Sequence, residues 1–180
     1  IDTCMEQVQF MAETIDDFRS FFSNETEVNI FDICASIENI VRLLSPLFEK
    51  HGTVINIINN LNRRIFVKGI SNEFRHTVMN ILSNSKDAVA QKKSDDRKFK
   101  GKVSIVLNAD DSNVSIDFID NGGGIPENLV DHIFKPYFTT KGDKGTGIGM
   151  YLAQIIINKK MNGSIGESNT EKDRKSTRLN

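Results

Sequence analysis

Hydrophobic and polar residues alternate along this chain with two different periods, and each change of period marks a new element. Ile1, Val8, Ile15 and Phe22 recur at heptad spacing, with Cys4, Met11 and Phe18 between them. This seam predicts a bundle helix over 1–24, with Glu6, Glu13, Asp16, Asp17 and Arg19 off the seam and packing against a partner chain favoured over packing on its own domain. Residues 27–33 alternate as a strand does, and Ile37, Ile40, Val41, Leu44 and Leu47 then recur at helical spacing until Gly52 stops the helix. Residues 54–58 and 65–67 read as short strands joined by a polar turn over 59–63. Ser71 is the expected cap of the next helix, on which Phe74, Val78, Ile81, Leu82, Ser85 and Val89 form one stripe. His76, Asn80, Asn84 and Asp87 form a second stripe on the other side.

Residues 91–101 are lysine-rich and read as a surface loop, followed by a probable antiparallel pair over 102–107 and 114–119. A short helix is expected from Pro126 to about Phe134, and residues 135–146 lack any period, as a lid would. From Gly147 a helix resumes, with Ile148, Leu152, Ile155 and Ile156 on its expected buried face, and Ile165 should begin a last strand.

Composition adds bounds. With 180 residues, 38% of them hydrophobic, one substantial core and a helical extension are expected, and a net charge of −1 gives no reason to expect nucleic acid. The chain has neither an apolar run of about 18 residues nor the pattern of a signal peptide. Cys4 and Cys34 sit in apolar helical patterns, which reads as two small hydrophobes in a reducing compartment rather than a disulfide or zinc pair.

Candidate chemistry gathers around Asp120-Asn121-Gly122-Gly123-Gly124-Ile125-Pro126. A carboxylate ending a strand beside glycine backbone suits a purine: Asp120 could accept from an exocyclic amine while Ile116, Phe118 and Ile133 wall a flat ring. Gly145, Thr146, Gly147, Ile148 and Gly149 open a helix inside a glycine-rich turn, which offers unpaired N–H groups and the positive dipole end to an anion. Lys141 and Lys144 could add charge, and the Asn84 amide offers a neutral oxygen to Mg²⁺. No phosphate loop of the Gly-x-x-x-x-Gly-Lys-Ser type is present.

The blocks Asn80-Ile81-Leu82-Ser83-Asn84, Asp120 to Pro126, Ile133 to Lys141 and Gly145 to Met150, in that order, resemble the N, G1, F and G2 boxes of the sensor histidine kinase ATP-binding domain. The wider superfamily includes gyrase, the heat-shock chaperone ATPase and the mismatch-repair ATPases, and the resemblance covers about residues 1–168. It implies an α/β fold, a two-layer α/β sandwich of the Bergerat type with about five strands in a mixed sheet, preceded by an N-terminal bundle helix. It also implies Asn84 as the Mg²⁺ ligand, Asn80 as holder of metal-bound water, and Asn80, Asn84 and Lys141 as the catalytic set. ATP is then expected to meet Asn84, Asp87, Asp120, Gly122, Gly124, Ile125, Phe134, Thr140, Lys141, Gly145, Thr146, Gly147, Ile148 and Gly149. Phe134, Tyr137 and Phe138 look like the lid's hinge, with core packing an equal reading of Tyr137.

Residues 15–22 resemble the end of the second dimerisation helix, so residues 1–24 are expected to be that helix, 25–168 the catalytic domain, and 169–180 a disordered or unrelated tail. His51, His76 and His132 lack the acceptor context of the family, so the acceptor helix should precede Ile1 and the fragment would not phosphorylate itself. The expected function is a histidine protein kinase in a two-component relay, a cytoplasmic homodimer through its N-terminal helix, passing phosphate to a response regulator receiver domain. Any membrane attachment would come through regions outside this chain. The rivals are an ATPase or protein serine kinase of the same superfamily and a non-catalytic dimerisation module.

Overall fold

The structure is a computed structural model and describes residues 27–61, 63–96, 98–110, 113–142, 145–171 and 174–179. The heptad segment, with Cys4 and the expected dimer contact, lies outside the described residues, as does Lys144. The chain runs β1 (Asn29–Asp32), α1 (Ile33–Lys50), β2 (Thr53–Asn59), β3 (Phe66–Gly69), α2 (Ser71–Asp95), β4 (Gly101–Ala109) and β5 (Val114–Asp120). Then come α3 (Glu127–Val130), α4 (Gly149–Ile155), a π-helical continuation over Ile156–Lys160, β6 (Ile165–Glu171) and β7 (Arg174–Leu179).

One mixed sheet carries the order β2-β4-β5-β7-β6, and β1 and β3 form a separate two-stranded ribbon. Strand β2 runs parallel to β4, while the β4–β5, β5–β7 and β6–β7 pairs are antiparallel. Period-2 alternation sends Val103, Ile105 and Leu107 of β4 and Ile116 and Phe118 of β5 to one buried face. Against it lie Ile37 and Ile40 of α1 and Phe74, Val78, Ile81, Leu82 and Val89 of α2, so the expected α2 stripe is buried in full. The result is a two-layer α/β sandwich, with its helices on one side of the sheet.

Local chemistry explains the starts and stops. The Asp32 carboxylate accepts from Cys34 N at 2.9 Å and Ala35 N at 3.1 Å, capping α1. Gly52 (φ +67°) ends that helix. Cys34 is a half-buried thiol pushed above its ordinary value by burial first, and then by the Asp32 and Glu38 carboxylates.

The two short strands expected before α2 are β2 and β3, which lie in different sheets because β3 pairs with β1. Four expectations need correction. Ser71 is the first residue of α2, with Ile70 in the cap position. Helix α2 continues through the lysine-rich stretch to Asp95, where Lys93 Nζ donates to His51 O at 2.7 Å and Lys92 stands 5.2 Å from the centre of the Phe99 ring. Gln91, Lys92 and Lys93 are good helix formers, and lysines suit a helix C-terminus. In α4 the buried positions are Met150 and Ala153, continued by Ile156 and Ile157, whereas Leu152 is 44% exposed. Met150, Ala153 and Ile157 keep ordinary helical spacing, so the buried face is rotated from the expected one, and the wider π turn, closed by Met161 N to Ile156 O at 3.1 Å, follows it.

The largest correction concerns the C-terminus. The stretch expected to be a disordered, unrelated tail over 169–180 supplies the end of β6 and all of β7, and β7 sits inside the sheet with Leu179 buried opposite Ile116. Polar side chains hid this strand, since its backbone pairing needs no apolar alternation.

Candidate functional site

Asp120 closes β5 with its side chain almost wholly buried, and its Oδ1 accepts from Gly122 N at 3.0 Å. Gly122 must be bare: a Cβ there would stand 2.7 Å from the Ala88 carbonyl carbon and 2.8 Å from Val89 N, on the back of α2. Gly123 (φ +112°) and Gly124 (φ +74°) then turn the chain outward through left-handed backbone.

Two asparagines hold this turn at its ends. Asn121 Oδ1 accepts from Lys102 N at 2.8 Å and its Nδ2 donates to Lys100 O at 3.0 Å, tying the near end to the start of β4. At the far end Asn169 Oδ1 accepts from Ile125 N at 2.9 Å and Asn169 Nδ2 donates to Ile125 O at 2.7 Å. Sequence reasoning missed Asn169, which fell in the stretch read as tail; no local pattern signals an amide bound to backbone 44 positions earlier.

The second stripe of α2 meets the lid and α4. Asn80 Nδ2 donates to Gly149 O at 3.3 Å, and a Cβ on Gly149 would stand 3.3 Å from Asn80 Cγ. One and two turns along, Lys141 Nζ donates to Asn84 Oδ1 at 2.9 Å and to Asp87 Oδ2 at 2.6 Å. His76, on the same stripe, is exposed and takes no place beside them.

The lid is pinched at its neck. Gly147 (φ +64°) abuts the Phe138 backbone, and Gly145 packs on Thr139, so the two ends of the 138–147 loop touch. Tyr137 (φ +63°) is 78% exposed, which removes core packing as its role. Phe134 packs on the core edge, and Phe138 lies 5.7 Å from the His132 ring. Thr140 and Thr146 are exposed, while Ile148 is half-buried one residue before α4. The elements thus bring Asn80, Asn84, Asp87, Lys141 and Gly149 together along α2, with Asp120, Gly122, Gly124 and Ile125 at the adjoining end of β5.

The Asn84 amide oxygen and the Asp87 carboxylate both face one cationic nitrogen. A hard cation that prefers oxygen donors fits this pair. Among the described residues there is no cluster of three His, Cys, Asp or Glu side chains able to hold a metal by themselves, and no helix long and apolar enough to cross a membrane. His51 follows the end of α1 and is exposed, and His132 lies in the turn after α3.

Residues 69–179 match the family described as histidine kinase-, DNA gyrase B-, and HSP90-like ATPase. Sporulation kinase D of Bacillus subtilis (strain 168) is 28% identical over 126 residues, covering 68% of this chain and 23% of that protein. The chain therefore spans about a quarter of the length of this relative. The catalytic domain of histidine kinase ThkA, in a nucleotide-free form, superposes with a TM-score of 0.74 at 23% identity, covering 86% of this chain and 94% of that one. ThkA in complex with the response regulator protein TrrA matches with a TM-score of 0.70 at 18% identity, covering 99% of this chain and 49% of that one.

Proposed function

Because the chain belongs to the histidine kinase-, DNA gyrase B-, and HSP90-like ATPase family, we propose that it is the ATP-binding catalytic domain of a sensor histidine kinase. In this reading the γ-phosphate of ATP passes to a histidine supplied by another segment or chain, and then to a receiver domain of a response regulator. One relative is named a sporulation kinase, and ThkA has been solved with a response regulator, which supports that direction. Homodimerisation through residues 1–24 and a cytoplasmic location belong to the same proposal.

The observation that carries the reading is the Lys141 clasp: a lid ammonium rests on the Asn84 oxygen and the Asp87 carboxylate, so the lid already reaches the wall expected to take the phosphates and their metal. Phosphoryl transfer depends mainly on positioning and charge neutralisation. Mg²⁺, when bound, would neutralise phosphate charge, with Asn84 and Asp87 as the residues placed to hold it. Asp120, fixed by its own turn through Gly122 N, accepts from the adenine amine. Asn80 holds the start of α4 through Gly149 O, setting where Thr146 to Gly149 would present their N–H groups, while Gly145 N donates to Gly142 O at 3.1 Å; Asn80 Oδ1 would hold a metal-bound water. Lys141 moves from its clasp to the phosphates as the lid closes, and the touching neck residues confine that movement to the loop beyond them.

Calorimetry of ATP binding with and without Mg²⁺, repeated on Asp120→Asn and with inorganic tripolyphosphate, tests this. The expected result is Mg²⁺-dependent ATP binding that Asp120→Asn weakens while tripolyphosphate binding stays. A folded chain that binds no ATP would sink the proposal.

A further inference from the structure

The glycine turn beyond Asp120 presents a mechanical problem. Residues 121–126 belong to neither helix nor strand, and Gly123 and Gly124 give the backbone the widest freedom at the place where the site needs fixed geometry. The near end is secured to β4 by Asn121. The far end is secured by one side chain, since Asn169 on β6 makes the donor and acceptor contacts that a neighbouring strand would make to Ile125. An amide can do this because it carries both a carbonyl oxygen and an NH₂ group, whereas a carboxylate, a hydroxyl or an ammonium cannot supply the same fixed pair.

We propose that Asn169 is a positioning residue of the nucleotide site, holding the Gly122–Ile125 backbone in the place where the adenine end of the ligand must meet it. This rests on the ATP-binding reading above and deepens it: the Asn169 amide bonds both backbone groups of Ile125, at the Asp120 end of the site, so its effect falls on the base and leaves the metal and triphosphate alone. The side chain reaches from β6, an edge strand held in the sheet through β7, so the clamp also makes the adenine end depend on how the C-terminal hairpin is seated. Asn169 is exposed and outside the core, which separates its role from packing.

The test compares wild type, Asn169→Ala and Asn169→Ser by calorimetry with Mg²⁺–ATP and with inorganic tripolyphosphate, together with thermal unfolding and hydrogen exchange at the Ile125 amide. Asn169→Ala is expected to weaken ATP about tenfold, to leave tripolyphosphate binding within about twofold, and to speed exchange at Ile125 with little change in the unfolding midpoint. Asn169→Ser, which keeps one hydroxyl but not the pair of contacts, should fall between, and it carries the test if the alanine variant does not fold. If ATP binds both variants as it binds wild type, or if ATP and tripolyphosphate weaken alike, Asn169 does not position the base. A wild-type chain that binds neither ligand overturns the ATP reading and this role with it, whereas wild-type binding with unchanged variants overturns the role of Asn169 alone.

Discussion

Gly147 lies against the backbone of Phe138 so closely that a Cβ built on it would stand 2.7 Å from Phe138 N and 2.8 Å from Phe138 O. Gly147 also holds φ at +64°, in the left-handed region. Gly147→Ala therefore meets a backbone clash and a conformational penalty together. The left-handed backbone costs about 1–2 kcal/mol and forced overpacking about 1–3 kcal/mol. Chemical denaturation should show a loss of about 2–5 kcal/mol, by the same two terms; a variant as stable as wild type would mean that the lid neck is not pinched in solution.

Asn84 is half-buried and bonded to Lys141 on the side of α2 away from the core stripe. Asn84→Ala should shift unfolding free energy by no more than about 1 kcal/mol, the usual net worth of one hydrogen bond. The Mg²⁺ dependence of ATP binding should disappear. Calorimetry with and without Mg²⁺ decides it, and unchanged dependence would remove Asn84 from the metal site.

Leu179 is 3% exposed and pairs with Ile116 on one side and Ile165 on the other. Leu179→Ala should cost about 2–5 kcal/mol as a large-to-small core change. Ending the chain after Glu171 removes β7 altogether and should prevent cooperative unfolding from being seen by calorimetry. A truncated chain that still melts cooperatively with wild-type ATP affinity would return residues 174–179 to the role of a dispensable tail.

The Cys34 thiol is held above its ordinary value of 9.0 by burial, then by Asp32 and Glu38. The folded state thus keeps its proton where the unfolded state has lost it. The contribution to stability is present below the unfolded value and is lost as pH rises through the folded one. Alkylation by iodoacetamide, followed at the Cys34 peptide by mass spectrometry, should need a higher pH in the folded chain than in urea. Equal pH profiles would show that the thiol is open to solvent.

The sequence made legible what depends on local pattern. The α2 stripe is buried from Phe74 to Val89, and β4 and β5 pair in register from Val103 opposite Asp120 to Ala109 opposite Val114. Three of the four blocks meet in the fold, through Asn80 on Gly149 and Lys141 on Asn84. Contacts made at long range by side chains or strands of unremarkable composition stayed hidden. Asn169 and β7 are the clearest cases.

The strand order has a consequence for how the chain reaches this state. Strand β6 precedes β7 in the sequence, yet β7 occupies the place between β6 and β5. During synthesis β6 leaves the ribosome before the strand that joins it to the sheet exists, so β6 can enter the sheet only once β7 has been made and the two strands dock. Until they do, the β5 edge from Ile116 to Asp120 stands open, with its backbone donors and acceptors available to any other extended chain. The strand that ends in Asp120 is therefore open to mispairing in a nascent chain until β7 covers its edge.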